Sequence, residues 1–248
     1  MERLSERFAV LVLLIGLATG IANAADLTEG LVGYWPLDGD GTDSVGDTVG
    51  DLVGGANWTD DGRSNGAVEV DGSTGYVAIS GFNLIADTIT FVAWINGWKQ
   101  SEWTGIVVSR GTSETWMGFG PNDTLTYVWN NNSPNTYSWP GGPAIPQDQW
   151  AMVAVAIEPD KATSYVYSDA DGLNQGVNEI PHIEETVDNL KFGWDECCGA
   201  DRHFRGIIDE VMVYDRALTE DEILKLATSG LAVASTGKLT TTWGRTKQ

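Results

Sequence analysis

Only two of the 248 residues are cysteine, and they are neighbours, Cys197 and Cys198. Adjacent cysteines cannot staple distant strands, so no disulfide framework supports this chain. They can close a small strained ring or bond to other chains, and a vicinal disulfide stiffening one loop is the favoured reading. Two thiols without further ligands nearby make a poor zinc site. Basic residues are scarce as well: 14 Lys and Arg stand against 35 Asp and Glu, for a formal net charge of −21. So acidic a surface is repelled by phosphate backbones and anionic bilayers, which argues against nucleic acid or such membranes as partners. Hard divalent cations are different, because calcium takes carboxylate and carbonyl oxygens; the alternative is that the surplus acid simply keeps an exported protein soluble.

Catalytic signatures are also lacking. Neither His182 nor His203 accompanies a nucleophile in a context such as Gly-x-Ser-x-Gly, and the glycines fall at turns instead of in a phosphate-binding loop. Past the first residues, no apolar run is long enough to span a bilayer.

The first residues themselves carry a pattern. Arg3 and Arg7 precede an apolar run from Phe8 to Leu17, followed by Ala22-Asn23-Ala24. A charged start, a short apolar stretch and a small-x-small site read as a secretory signal over residues 1–24. A membrane anchor is the alternative, but the stretch is short and no cysteine follows it to take a lipid. The mature protein is therefore expected to be secreted, periplasmic or associated with the cell surface, with no membrane insertion after cleavage.

Beyond the signal, short alternating or apolar runs are divided by Gly, Asn, Asp and Pro. Residues 88–95 alternate, and 150–157 are continuously apolar, as in a strand buried on both faces. Glu158-Pro159-Asp160-Lys161 is a turn signal before 163–168, which makes a hairpin. Further strands are expected at 31–37, 67–70, 76–79, 105–109, 124–129, 190–193 and 207–214. Glu184 and Glu185 read as loop. About ten short strands among 30 glycines indicate an antiparallel all-β sandwich or jelly roll. One helix follows: Thr219 and Glu222 form a capping box, Ile223, Leu224, Leu226 and Ala227 give an apolar stripe, and Gly230 can stop it. A single domain is expected over residues 25–230, with a polar tail over 231–248.

Four blocks in order resemble a known family. Gly30-Leu-Val-Gly-Tyr-Trp-Pro-Leu-Asp38 is similar to the opening strand of LamG-like jelly-roll domains in the concanavalin A-like lectin/glucanase superfamily. Gly62 to Gly72 with Tyr76-Val-Ala-Ile79, then Thr90-Phe-Val-Ala-Trp-Ile95, look like the second and third blocks. The strongest is Phe204-Arg-Gly-Ile-Ile-Asp-Glu-Val-Met-Val-Tyr-Asp-Arg-Ala-Leu218. The resemblance implies two antiparallel sheets whose first and last strands are neighbours. It implies no single function, since the superfamily holds lectins, glycosidases and adhesion domains.

Retaining glycosidases of that superfamily place carboxylates at alternate positions of one strand, as in Glu-x-Asp-x-x-Glu. No such run occurs here. Strand alternation sets Ile207, Asp209, Val211 and Val213 on one face and Ile208, Glu210, Met212 and Tyr214 on the other, so Asp209 and Glu210 would point apart. Glu69 and Asp71 alternate, but Asp71 enters a turn. Antiparallel pairing of the first and last strands would bring Asp38 near Asp209. Two carboxylates together need a cation, a base or a shared proton, and jelly-roll relatives often hold a structural calcium near such termini. Asp38 and Asp209 are therefore the calcium candidates, with backbone hydrogen bonding to Asp209 as the alternative.

Seven of the eleven tryptophans lie between Trp94 and Trp150. Trp94 and Trp150 sit in apolar strands and read as core. Trp129, Tyr137 and Trp139 are interleaved with Asn130, Asn131, Asn132 and Asn135. Sugars present apolar C–H faces and hydroxyl edges, which suit aromatic platforms beside amides. The competing reading is cross-strand aromatic pairs with asparagines in turns. The leading expectation is an exported, non-catalytic carbohydrate-binding module using Trp129, Asn130, Asn131, Tyr137 and Trp139. An adhesion module binding an extracellular protein comes second, and a glycoside hydrolase or polysaccharide lyase third.

Overall fold

The computed structural model of the chain describes residues 26–130, 137–197 and 202–231. The expected signal segment and residues 232–248 lie outside the described residues. Two antiparallel sheets face each other. The first, sheet A, runs in the order β14 (Gly172–Asn178), β13 (Lys161–Ser168), β12 (Ala151–Glu158), β7 (Ile89–Lys99), β17 (Phe204–Tyr214), β4 (Ala67–Asp71) and β3 (Asn57–Thr59). Its eighth strand, β1 (Leu31–Trp35), pairs with β17 antiparallel, so the first and last strands are neighbours. Sheet B runs β11 (Tyr137–Trp139), β10 (Leu125–Trp129), β9 (Glu114–Phe119), β8 (Gly105–Arg110), β16 (Leu190–Phe192), β5 (Tyr76–Ser80) and β2 (Val49–Val53). A small pair, β6 (Asn83–Ala86) and β15 (Glu185–Asp188), adds Leu84 and Val187 to the core. Glu185 thus opens a strand, contrary to its loop assignment.

The expected hairpin is present, with β12 and β13 in register from Ala151↔Ser168 to Glu158↔Lys161. Alternation sends Val153, Val155 and Ile157 inward to the space between the sheets, where they meet Trp35, Phe91, Phe119 and Phe192. Their neighbours Met152, Ala154 and Ala156 face the other way and join a second apolar cluster under α1 (Glu220–Ser229). The middle of sheet A is therefore covered on both faces, which explains the continuous apolar run of β12. Where β7 and β17 meet, Gly97 lies opposite Gly206. A Cβ on Gly97 would stand 2.2 Å from the Arg205 carbonyl oxygen, so the backbones approach this closely only because both residues are glycine.

The last strand departs from simple alternation. The pairing of β17 with β7 shifts register between Asp209 and Met212, and Glu210 has φ +50°. This is a β-bulge, in which an extra residue resets the faces. Ile208, Val211 and Val213 consequently all point into the inter-sheet core, whereas Met212 and Tyr214 join the cluster under the helix. Asp209 and Glu210 share that second side, which corrects their expected placement on opposite faces.

Candidate functional site

The outward side of sheet B carries no helix or strand among the described residues. On β8, the central strand, Val107 and Ser109 point inward, leaving Val108 and Arg110 outward. On β9, Met117 and Phe119 fill the core while Glu114 and Trp116 face out. Trp116, Val108 and Val128 form a separate apolar cluster, against which Trp103 packs. The Trp103 and Trp116 rings meet edge to face at 6.2 Å. Trp103 holds φ +66°, a backbone state that non-glycine residues adopt rarely and that is found disproportionately at functional sites.

Beside these rings runs a chain of charges. Arg110 Nη1 lies 2.6 Å from Glu114 Oε2, and its Nε and Nη2 donate to the two oxygens of Asp195. Arg202 donates to the same carboxylate at 2.7 Å, and the Cys197 N–H at 3.2 Å. Asp195 is wholly buried, and a forked guanidinium on a buried carboxylate is a rigid arrangement. Next in sequence, Trp194 stacks on His203 at 5.2 Å with an 11° interplanar angle, and Tyr76 leans on it at 4.6 Å. Lys191 Nζ sits 5.4 Å from the Trp194 ring centroid and 2.6 Å from Glu196. Tyr76, Trp194 and His203 are all half-buried. Three cations (Arg110, Lys191, Arg202) thus pair with three carboxylates (Glu114, Asp195, Glu196), so this patch is electrically balanced within a strongly acidic protein. Half-exposed aromatic rings beside fixed donors and acceptors can hold a ligand with apolar faces and hydroxyl edges.

The aromatics singled out from sequence lie elsewhere. Trp129 is wholly buried in the inter-sheet core, and its Nε1–H donates to the Ile183 carbonyl at 2.7 Å. Its ring therefore offers no face to a ligand, which corrects its assignment as a binding platform. The cause is strand parity, since β10 turns Leu125, Tyr127 and Trp129 inward together. Trp139 is half-buried and packs against Tyr127 at 6.1 Å. Asn130 is buried with φ +53°, so it serves a left-handed turn at the strand end. The backbone of Tyr137 pairs with Trp129, and Asn131 lies outside the described residues. Cys197 is disulfide-bonded, while Cys198 lies outside the described residues. The residues that sequence reasoning missed are Arg110, Trp194, Asp195 and Arg202. Two local signals point to them: a charged residue ending an apolar strand, and a Trp-Asp pair next to the cysteines.

On the other side of the molecule, the turn around residues 62–66 is gripped by two acids. Asp38 Oδ1 accepts from the Gly66 N–H at 3.0 Å, and Asp209 Oδ2 accepts from the Ser64 N–H at 3.0 Å. Asp209 is wholly buried; the Glu210 and Arg63 N–H groups also act on its carboxylate, but no donor reaches hydrogen-bond geometry at Oδ1. Burial, with the charge of Asp38 adding to it, pushes the Asp209 carboxyl up to about 8. Burial also drives Glu210 well above the carboxylate range, with Asp209 adding to the effect, while Tyr34 Oη donates to it at 2.5 Å. An orphaned buried carboxylate oxygen near a second carboxylate suits a hard cation such as calcium. No group of three His, Cys, Asp or Glu side chains gathers there among the described residues. Asp38 and Asp209 would hold such an ion with carbonyls or water completing its shell.

A laminin G family model, described as the concanavalin A-like lectin/glucanases superfamily, matches residues 71–224. No curated protein matches the chain. Among solved structures, domain 4 of AbnA is similar; it comes from an extracellular GH43 arabinanase of Geobacillus stearothermophilus and was solved with arabinotriose. The TM-score is 0.61 at 19% identity, covering 79% of this chain and 98% of that one. The binding domain of Paraclostridial Mosquitocidal Protein 1 gives a TM-score of 0.62 at 13% identity, covering 82% of this chain and 52% of that one. The botulinum neurotoxin serotype D binding domain gives 0.56 at 12% identity, with 79% and 51% covered. The chain thus spans about half the length of either toxin domain.

Proposed function

The chain belongs to the concanavalin A-like lectin/glucanase superfamily, and from that premise we propose that it is an exported, non-catalytic module that binds carbohydrate on the outward side of sheet B. The observation that carries this reading is the half-buried Trp194, flanked by Tyr76 and His203 and adjoining the Glu114–Arg110–Asp195–Arg202 network. Ring faces meet sugar C–H surfaces, and the part-exposed Glu114, Arg202 and Glu196 side chains meet hydroxyls, while the buried Asp195 holds the guanidiniums in place. Ion pairs within the fold fix these side chains, so little side-chain ordering opposes binding. The similarity to an arabinanase domain solved with arabinotriose supports the same reading.

The acids speak for binding over hydrolysis. Asp209 and Glu210 share a side, but both are sealed beneath Ser64 and Tyr34 and cannot flank a glycosidic bond in an open cleft. Calcium at Asp38 and Asp209 would fix the 62–66 turn and act as scaffold.

Calorimetry against a panel of neutral oligosaccharides, including arabino-oligosaccharides, tests the site. Trp194→Ala should weaken binding by about tenfold or more, as expected for an aromatic anchor, while its melting temperature shows that the fold persists. Undiminished affinity in a folded Trp194→Ala variant, or no oligosaccharide bound by the native protein, defeats the proposal. Binding of a protein ligand at the same residues would favour an adhesion module instead.

A further inference from the structure

Next to the β3 edge of sheet A lies a cavity of about 520 Å³, away from the patch on sheet B. Its walls are Asp38, Trp58, Thr59, Asp60 and Asn65, with two glycines between them. The volume is ordinary for a small-ligand site. Trp58 is half-buried, with part of its ring packed on the inter-sheet core. Asp38, Asp60 and Asn65 are exposed. Across the 62–66 turn lies the unpartnered Oδ1 of Asp209, a buried acceptor without a donor.

The charge here differs from that on sheet B. No lysine, arginine or histidine lines the cavity. The guanidinium of the adjoining turn, Arg63, is occupied: it donates to Asp169 at 2.7 Å and covers the Trp94 ring at 4.3 Å. Asp38 accepts from the Gly66 N–H and the Asn65 amide, but no cation of the cavity wall balances the charge of the two aspartates, so a ligand complementary to them brings positive charge. Trp58 adds a ring face, which attracts both sugar C–H surfaces and cations. The Thr59 hydroxyl accepts from the Asp61 N–H and keeps its own proton for a ligand, while the Asn65 amide donates to Asp38 and holds that carboxylate in the wall.

We infer that this cavity is a second glycan subsite, selective for a hexosamine unit with a free amine. In the calcium-free protein the ammonium group lies between Asp38 and Asp60, and the pyranose ring packs on Trp58. A neutral or N-acetylated sugar can donate hydroxyls to the two carboxylates but brings no charge to them, and an anionic one is repelled. This subsite goes beyond the patch around Trp194 and stands without it.

The test is calorimetry with a glucosamine trimer and with its fully N-acetylated counterpart, in chelator and in buffer acidic enough to keep the amines protonated. The free-amine trimer should bind, and the acetylated trimer should bind about tenfold more weakly or not at all. Asp60→Asn and Trp58→Ala should each weaken the amine trimer by about tenfold, while Trp194→Ala leaves it unchanged. Asp60 is exposed, so its variant keeps the test valid even if Trp58→Ala fails to fold. Asp51→Asn removes the same charge from an exposed site on β2 and should have no effect. Three results overturn the inference: no binding of the amine trimer, equal binding of the acetylated trimer, or equal weakening by Asp51→Asn and Asp60→Asn. The last would mean general attraction to an acidic surface.

Discussion

The indole of Trp129 fills space between the sheets and gives its one hydrogen-bond donor to the Ile183 carbonyl. Replacing it with alanine removes buried apolar surface, leaves a cavity that neighbouring strands can only partly close, and orphans that carbonyl. Large-to-small changes of this kind cost about 3–5 kcal/mol. Trp129→Ala should therefore lower the denaturant midpoint strongly. At temperatures where the variant stays folded, oligosaccharide affinity should be retained. A variant of native stability that loses binding would return Trp129 to the ligand site. Trp194, half-buried and flanked by charges, should show the reverse pattern. Parity along a strand separates the two cases, and parity alone does not tell which face of a sheet the rest of the chain will cover.

Among the elements, α1 combines local and tertiary support. The Thr219 side chain accepts from the Glu222 N–H, and Glu222 accepts in return from the Thr219 N–H at 2.8 Å. Arg216 holds the same carboxylate with two nitrogens, at 2.8 and 3.0 Å. The Arg216 guanidinium foremost, with Thr219 helping, holds Glu222 down at about 2. A carboxyl depressed by folding contributes stability that is present above its unfolded value, near 4.5. That contribution fades as pH falls from there towards about 2. Glu222→Gln should thus be less stable than the native protein by on the order of 2 kcal/mol at neutral pH. The gap should close as the acid range is entered. Urea unfolding of both proteins from neutral to strongly acidic pH measures it, and a gap independent of pH would exclude the Arg216 pairing as its source. This helix was legible beforehand because capping is a three-residue pattern, and so was the β12–β13 hairpin with its Pro-Asp turn. Strands β2, β3 and β14 were not, for they read Val-Gly-Asp-Leu-Val, Asn-Trp-Thr and Gly-Leu-Asn-Gln-Gly-Val-Asn, with little alternation. They extend largely because a neighbouring strand offers them an edge. The bulge at Glu210 was equally hidden, since no glycine or asparagine marks its positive φ. The patch on sheet B joins Tyr76 and Arg110 to the segment from Lys191 to His203, three separate parts of the chain, so no window of sequence contains all of it.

Across the whole molecule, a net charge of −21 sets carboxylates against one another in the folded state more than in the extended chain. The strain is greatest where burial removes the screening by water, as at Asp209, with Asp38 on the same turn. A divalent cation between these two would satisfy the orphaned Oδ1 and tie the end of β1 to β17, strands almost a whole chain apart in sequence. A ligand bound only by the folded state at about 100 times its dissociation constant adds roughly 2.7 kcal/mol. For a domain of this size that corresponds to a rise of about 5–11 °C in melting temperature. Chelator-treated protein should therefore melt lower than protein in calcium, and Asp209→Asn should abolish the difference. Sodium chloride at matched ionic strength should raise the melting temperature of both proteins alike, because it screens the general repulsion without occupying a site. If calcium does no more than the matched salt, the two acids are held by the 62–66 turn alone. The buried Asp209 then stays protonated near neutral pH, and its unpartnered oxygen remains a local weakness of the fold.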